Sequence, residues 1–135
     1  MNRAVIGIGS NIPESENMVV ECCKKIRDMV DSVEFSSCYE TVSVSVMPQP
    51  NYHNCVGVAE TGKSFDELRA AFKRMETEAG RTKSDKQRGV VILDIDIVEW
   101  NGQVVSPEDY LQDYVQLGLR QLSHCISGVD RKEKA

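Results

Sequence analysis

The chain has 135 residues, 41% of them hydrophobic and 27% charged, and carries a formal net charge of −5. That length holds one core and not two, and the composition is ordinary for a soluble globular domain. The acidic balance argues against nonspecific nucleic-acid binding, though not against a phosphorylated small molecule in a locally basic pocket. No apolar run approaches the roughly 20 residues of a membrane span, and no signal peptide is expected before the first strand, so a cytoplasmic protein with no membrane partner is expected. The five cysteines, Cys22, Cys23, Cys38, Cys55 and Cys125, are odd in number and lack CxxC spacing. They read as free thiols of a reducing compartment rather than as a disulfide framework or a zinc site.

Residues 3–9 read as a short strand ending in the loop Gly9-Ser10-Asn11. Ser15 is placed to cap a helix, with Glu16 in the first turn where a carboxylate suits the helix dipole. Val19, Cys22, Cys23, Ile26, Met29 and Val30 then recur at helical spacing, giving a first amphipathic helix. Residues 33–42 alternate as a second strand, with Val33, Phe35, Ser37, Tyr39 and Thr41 on one face. Pro48 and Pro50 mark a loop, since neither suits a central strand, and residues 52–60 form a third strand.

Ser64-Phe65-Asp66-Glu67 is a capping box, in which Ser64 and Glu67 satisfy backbone donors reciprocally. Phe65, Leu68, Phe72, Met75 and Ala79 follow at spacings of three and four, so one helical face packs on a sheet, and Gly80 sits where a left-handed C-terminal cap belongs. A polar, basic loop over 81–89 leads to the apolar run 90–98, which reads as a nine-residue strand buried on both faces. Asn101-Gly102 is a hairpin turn signal, because both residues accept positive φ. Ser106-Pro107-Glu108-Asp109 opens a last helix with proline at its first position. Residues 1–126 are expected to form a single domain and 127–135 a disordered charged tail. The order β-α-β-β-α-β, with an added hairpin strand and a terminal helix, predicts an α+β ferredoxin-like sandwich.

Two acids interrupt the late apolar run. Alternation puts Asp94 and Asp96 on one face of their strand, about 7 Å apart. Two carboxylates on a dry strand cost several kcal/mol unless a cation or donor answers them. A hard divalent ion such as Mg²⁺ suits carboxylate and phosphate oxygens; a strand end emerging into water is the alternative. A second motif, from Gly57 to Ser64, fits G-x-x-x-x-G-K-[ST] in full. Its context argues for a strand followed by a capped helix: Gly57 lies inside the third strand, Glu60 carries the wrong charge, and Ser64 already caps. A P-loop nucleotidase using Lys63 is kept as a remote alternative.

Several local signatures converge. Gly9-Ser10-Asn11, Tyr39-Glu40-Thr41, Gln49-Pro50-Asn51-Tyr52-His53-Asn54, Glu76 with Gly80-Arg81, and Leu93-Asp94-Ile95-Asp96-Ile97 stand in that order. Together they resemble the 6-hydroxymethyl-7,8-dihydropterin pyrophosphokinases of folate biosynthesis, over Val5 to about Ser106. The resemblance implies a ferredoxin-like core and transfer of pyrophosphate from ATP to the pterin's hydroxymethyl oxygen, releasing AMP. It implies Asp94 and Asp96 as ligands of two Mg²⁺ ions, with Asp94 also on the pterin. Thr41, Tyr52 and Asn54 would form the pterin pocket, and Glu76, Arg81 and Lys83 the nucleotide side, the two cations also acting in catalysis. The partners implied are therefore small molecules, pterin and ATP. The chain also departs from that pattern. Val42-Ser43-Val44-Ser45 replaces a Pro-x-Gly turn, Lys83 and Val91 stand where arginines are usual, and Pro107-Glu108-Asp109-Tyr110 replaces a Pro-His segment and its following arginine. A relative that binds pterin or nucleotide with reduced or lost turnover is therefore the main alternative.

Overall fold

The computed structural model describes residues 1–41, 51–80 and 89–123. Its elements are β1 (Asn2–Ser10), α1 (Ser15–Met29), β2 (Ser32–Phe35), β3 (Tyr39–Thr41), β4 (Tyr52–Thr61), α2 (Phe65–Glu78), β5 (Asp94–Trp100), β6 (Gln103–Val104), α3 (Pro107–Tyr110) and α4 (Asp113–Gln121). The strands form one six-stranded sheet in the order β2-β4-β1-β5-β6, with β3 also on β4. Neighbours pair antiparallel. Taken together, β2 and β3 are one interrupted strand, so the expected ferredoxin-like α+β arrangement is what the chain builds.

Alternation along β1 divides the core between the two faces of the sheet. Ala4, Ile6 and Ile8 face α1 and α2, where they meet Val19, Ile26, Leu68 and Phe72. Val5, with Val56, Val58 and Val98, faces the other way and packs on Val115 of α4 and on Leu122 beyond it. At Gly118 a Cβ would lie 2.4 Å from Val56 Cγ2, so glycine lets α4 press directly onto β4. No helix among the described residues is long and apolar enough to cross a membrane.

The capping box at Ser64 is present in full, and Gly80 takes φ +101° beyond α2. The hairpin turn is also as expected, with Asn101 at φ 51° and Gly102 at φ 84°. Four local expectations are corrected. The second strand breaks at 36–38 because the buried Ser36 hydroxyl accepts from Val56 N at 2.9 Å, where a ladder carbonyl would otherwise serve. Ser15 is the first residue of α1 rather than its cap; its hydroxyl is 2.5 Å from His53 Nδ1. The late strand begins only at Asp94, since Asn11 holds the preceding residues in a loop, with Gly89 at φ 76°. The last helix starts with Pro107 but breaks, and α4 restarts at Asp113.

The G-x-x-x-x-G-K-[ST] motif is a strand and a cap. Gly57 pairs with Ile6 and Phe35 in mid-sheet, and a Cβ there would meet the Phe35 ring at 2.8 Å. The tail 127–135 lies outside the described residues.

Candidate functional site

One end of the sheet gathers the polar residues that the apolar strands leave over. Gly9 ends β1, Tyr52 and Asn54 begin β4, Thr41 ends β3, and Asp94 begins β5. With Val91, Asp109, Gln112, Asp113 and Tyr114 they line a cleft of about 470 Å³. Tyr52 and Asn54 share the face of Val56, the face that α4 covers. Asn54 is buried, and its amide nitrogen donates to Thr41 Oγ1 at 2.7 Å. Its Oδ1 lies over Gly9, where a Cβ would approach to 2.8 Å. Gly7 likewise admits the Tyr114 hydroxyl, 2.7 Å from the position of a Cβ. The two glycines thus leave room for the cleft's amide and for one of its two tyrosines.

Asp96 sits two residues beyond Asp94 on the same face and opens into a second hollow of about 190 Å³ at the outer side of β5. Its other walls are Phe65, Arg69, Phe72 and Lys73 of α2, Ile95 and Ile97 of β5, and Val105 and Ser106. The carboxylate pair therefore joins an aromatic cleft to a small hollow with two cationic side chains. Burial is the main cause that moves the Asp96 carboxyl up from 3.8 to about 7. Repulsion and bonding with Asp94 and the charge of Asp109 add to it, and Lys73 opposes it. The Ser106 hydroxyl donates to Asp109 Oδ2 at 2.6 Å and fixes that third carboxylate. The Tyr52 hydroxyl is raised by burial and by Asp94; that of Tyr114 is raised by burial and by Asp109, Asp96 and Asp94.

This crowding of negative charge is what a hard cation would relieve, and carboxylate oxygens are its preferred donors. Among the described residues, no three His, Cys, Asp or Glu side chains converge closely enough to hold an ion by themselves. Mg²⁺ commonly completes its coordination with phosphate oxygens beside one or two carboxylates.

Two further residues hold the aspartate strand in place. Glu76 is buried in α2; its Oε2 accepts from Ile95 N at 2.7 Å, between the two aspartates, and its Oε1 accepts from Lys73 Nζ at 3.4 Å. Asn11 is 1% exposed. It donates from Nδ2 to Gly89 O at 2.8 Å and accepts at Oδ1 from Val91 N at 2.6 Å. Its backbone N–H also donates to Val91 O at 2.8 Å. The end of β1 is thereby tied to the segment that leads into Asp94.

Thr41, Tyr52, Asn54 and Asp94 thus meet in one cleft, and Asp96 stands beside them. Arg81 and Lys83 lie outside the described residues, as do Lys86, Arg88 and His124. His53 is on the opposite face of β4 from Asn54, bonded to Ser15 and 3.8 Å from Glu40 Oε2. Sequence reasoning did not reach Tyr114, Gln112 or Asp109 as lining residues. Their place depends on the break between α3 and α4, for which the sequence carries no periodic signal.

The class these features define is an α+β ferredoxin-like domain with a two-carboxylate centre between an aromatic cleft and a cationic hollow. The family described as 7,8-dihydro-6-hydroxymethylpterin-pyrophosphokinase matches over residues 5–124, and the chain belongs to it. It is 28% identical over 105 residues to the 2-amino-4-hydroxy-6-hydroxymethyldihydropteridine pyrophosphokinase of Aquifex aeolicus, covering 78% of this chain and 65% of that one. The protein of the same name from Helicobacter pylori is 27% identical over 111 residues, 80% of this chain and 68% of the relative. A folate synthesis bifunctional protein of Arabidopsis thaliana is 35% identical over 97 residues, 71% of this chain and 20% of the relative. The matched region spans about two thirds of the length of the bacterial relatives.

Proposed function

We propose that this domain transfers pyrophosphate from MgATP to 6-hydroxymethyl-7,8-dihydropterin, releasing AMP, in the cytoplasm. The observation that carries the reading is the placement of Asp94 in the aromatic cleft and Asp96 in the cationic hollow. One carboxylate pair thereby faces two ligand spaces at once, as a reaction between two bound substrates requires.

The cleft suits a flat, polar-edged ring. Tyr52 and Tyr114 offer aromatic walls, and Asn54, steadied by Thr41, presents an amide that both donates and accepts. The hydroxymethyl group of a pterin so held lies toward Asp94. Its oxygen attacks the β-phosphorus of ATP, the bond from that phosphorus to the α-phosphate oxygen breaks, and AMP leaves. Little covalent work falls to the protein, so catalysis consists of positioning and charge neutralisation. Asp94 and Asp96 would hold two Mg²⁺ ions, which when bound neutralise the phosphate oxygens on both sides of the transfer. Arg81 and Lys83 are assigned to the triphosphate as cations. On the nucleotide side Lys73 and Arg69 join them, and Glu76 serves there by fixing β5 through Ile95.

The test is to incubate purified protein with MgATP and the hydroxymethyl pterin and to separate the nucleotides. AMP formed only when pterin is present supports the transfer. ADP would point to phosphoryl transfer instead. No pterin-dependent nucleotide product refutes the activity and leaves a relative that binds pterin or nucleotide without turnover.

A further inference from the structure

We propose that Cys23 and Cys55 are a site of reversible oxidation, at which a peroxide closes a disulfide between α1 and β4. The two sulfurs stand 3.9 Å apart although the residues are 32 positions apart in the chain. A disulfide needs about 2.05 Å between sulfurs, so closure asks for a further approach of about 2 Å. The pair is asymmetric in exposure. Cys23 is half-buried, packs against the core from α1, and is the more exposed of the two. Cys55 is 2% exposed, in the middle of β4 and opposite Ile8 of β1.

Neighbouring groups sort the other described thiols; Cys125 lies outside the described residues. The Ser36 hydroxyl donates toward Cys55 Sγ at 3.9 Å, and the Cys55 thiol is directed at Ser36 O at 3.6 Å. Donation from Cys23 and Ser36 holds the Cys55 thiol below its ordinary range, while Cys23 is pushed up by its bond to Cys55 and by burial. Cys22, the adjacent residue, is buried and pushed up to about 12, chiefly by that burial. Cys38 is exposed on the 36–38 segment. The chemistry balances with peroxide as the named oxidant. One sulfur of the pair is oxidised to a sulfenic acid as hydrogen peroxide is reduced to one water. The other sulfur then attacks it, the S–S bond forms, and the hydroxyl leaves as a second water with the attacking thiol's proton. Two thiols lose two electrons and two protons in all, and a dithiol reductant reverses the change.

The inference does not rest on the reading of the cleft, because its readout is mass and not activity. The full chain is exposed to hydrogen peroxide, its remaining thiols are alkylated, and it is weighed intact and after digestion. The expected result is a loss of about 2 Da before alkylation, two fewer alkyl groups per chain after it, a cross-linked peptide joining Cys23 to Cys55, and full reversal by dithiothreitol. The 2 Da loss should persist in Cys22→Ser and Cys38→Ser and vanish in Cys23→Ser. The wild-type cross-link map stands by itself if a variant fails to fold. A gain of oxygen mass without a cross-link, a bridge through Cys22 or Cys38, or no change would each overturn the assignment.

Discussion

Replacing Asp96 with asparagine should make the protein more stable and, on the proposed function, inactive. The Asp96 carboxyl titrates near 3.8 when unperturbed and at about 7 in the folded chain, chiefly because of burial and then Asp94. Between those values the folded protein binds a proton that the unfolded chain has released. Stability therefore falls as pH rises from about 4 to about 7, and the loss is complete above that. At about 1.4 kcal/mol per pH unit the whole interval is worth about 4 kcal/mol. The side chain is only partly buried, and screening by water brings the expected penalty to about 2 kcal/mol. For a domain of this size that corresponds to a melting shift of about 6–8 °C. Thermal unfolding of wild type and Asp96→Asn at pH 8 and pH 5 is the assay. The variant should melt about 7 °C higher at pH 8, and its advantage should be smaller at pH 5, where protonation relieves part of the penalty. Millimolar Mg²⁺ with ATP should raise the melting point of the wild type more than that of the variant. A variant no more stable than wild type at pH 8, or an equal difference at both pH values, would refute the reasoning.

Asn11→Ala removes two side-chain bonds to 89–91 and should cost about 2–3 kcal/mol in denaturant unfolding; pterin-dependent turnover should fall with it, because the approach to Asp94 loosens. Glu76→Ala leaves the Ile95 N–H buried without its acceptor and should cost about 2 kcal/mol. Glu76→Gln keeps an acceptor and should cost less than about 1 kcal/mol, so equal losses would argue against the tether. Lys63→Ala should leave stability within about 0.5 kcal/mol of wild type and turnover unchanged; lost activity would reinstate the P-loop reading.

What could be read from the sequence was whatever local chemistry fixes. Ser64 and Glu67 cap α2 wherever that helix packs, and Asn101-Gly102 turns the hairpin because both residues tolerate positive φ. Asp94 and Asp96 stood out because charge inside an apolar run costs too much to be incidental. Thr41 and Asn54 meet because register brings Tyr39 opposite Asn54 and Thr41 opposite Tyr52. The errors fall where a distant side chain displaces a local preference. Residues 90–92 have a strand composition, yet Asn11, far away in sequence, takes the bonds that would have extended the strand. Ser36 does the same to the second strand through Val56. Tyr114 has no local mark as a cleft residue, because its role is set by Gly7 on another element.

The central place of β1 also governs the order in which the site comes into being. Its two neighbours, β4 and β5, lie far downstream, and Gly9 meets Asn54 on one side and Asp94 on the other. A chain emerging from the ribosome can zip β4 onto β1 early, while the second edge of β1 stays open until β5 is made. Such an edge is a template for mispairing with another chain, and pairings so distant in sequence form slowly. The carboxylates that crowd the finished cleft thus arrive on the strand that seals this edge. Closure of the sheet edge and completion of the candidate site depend on the same late strand.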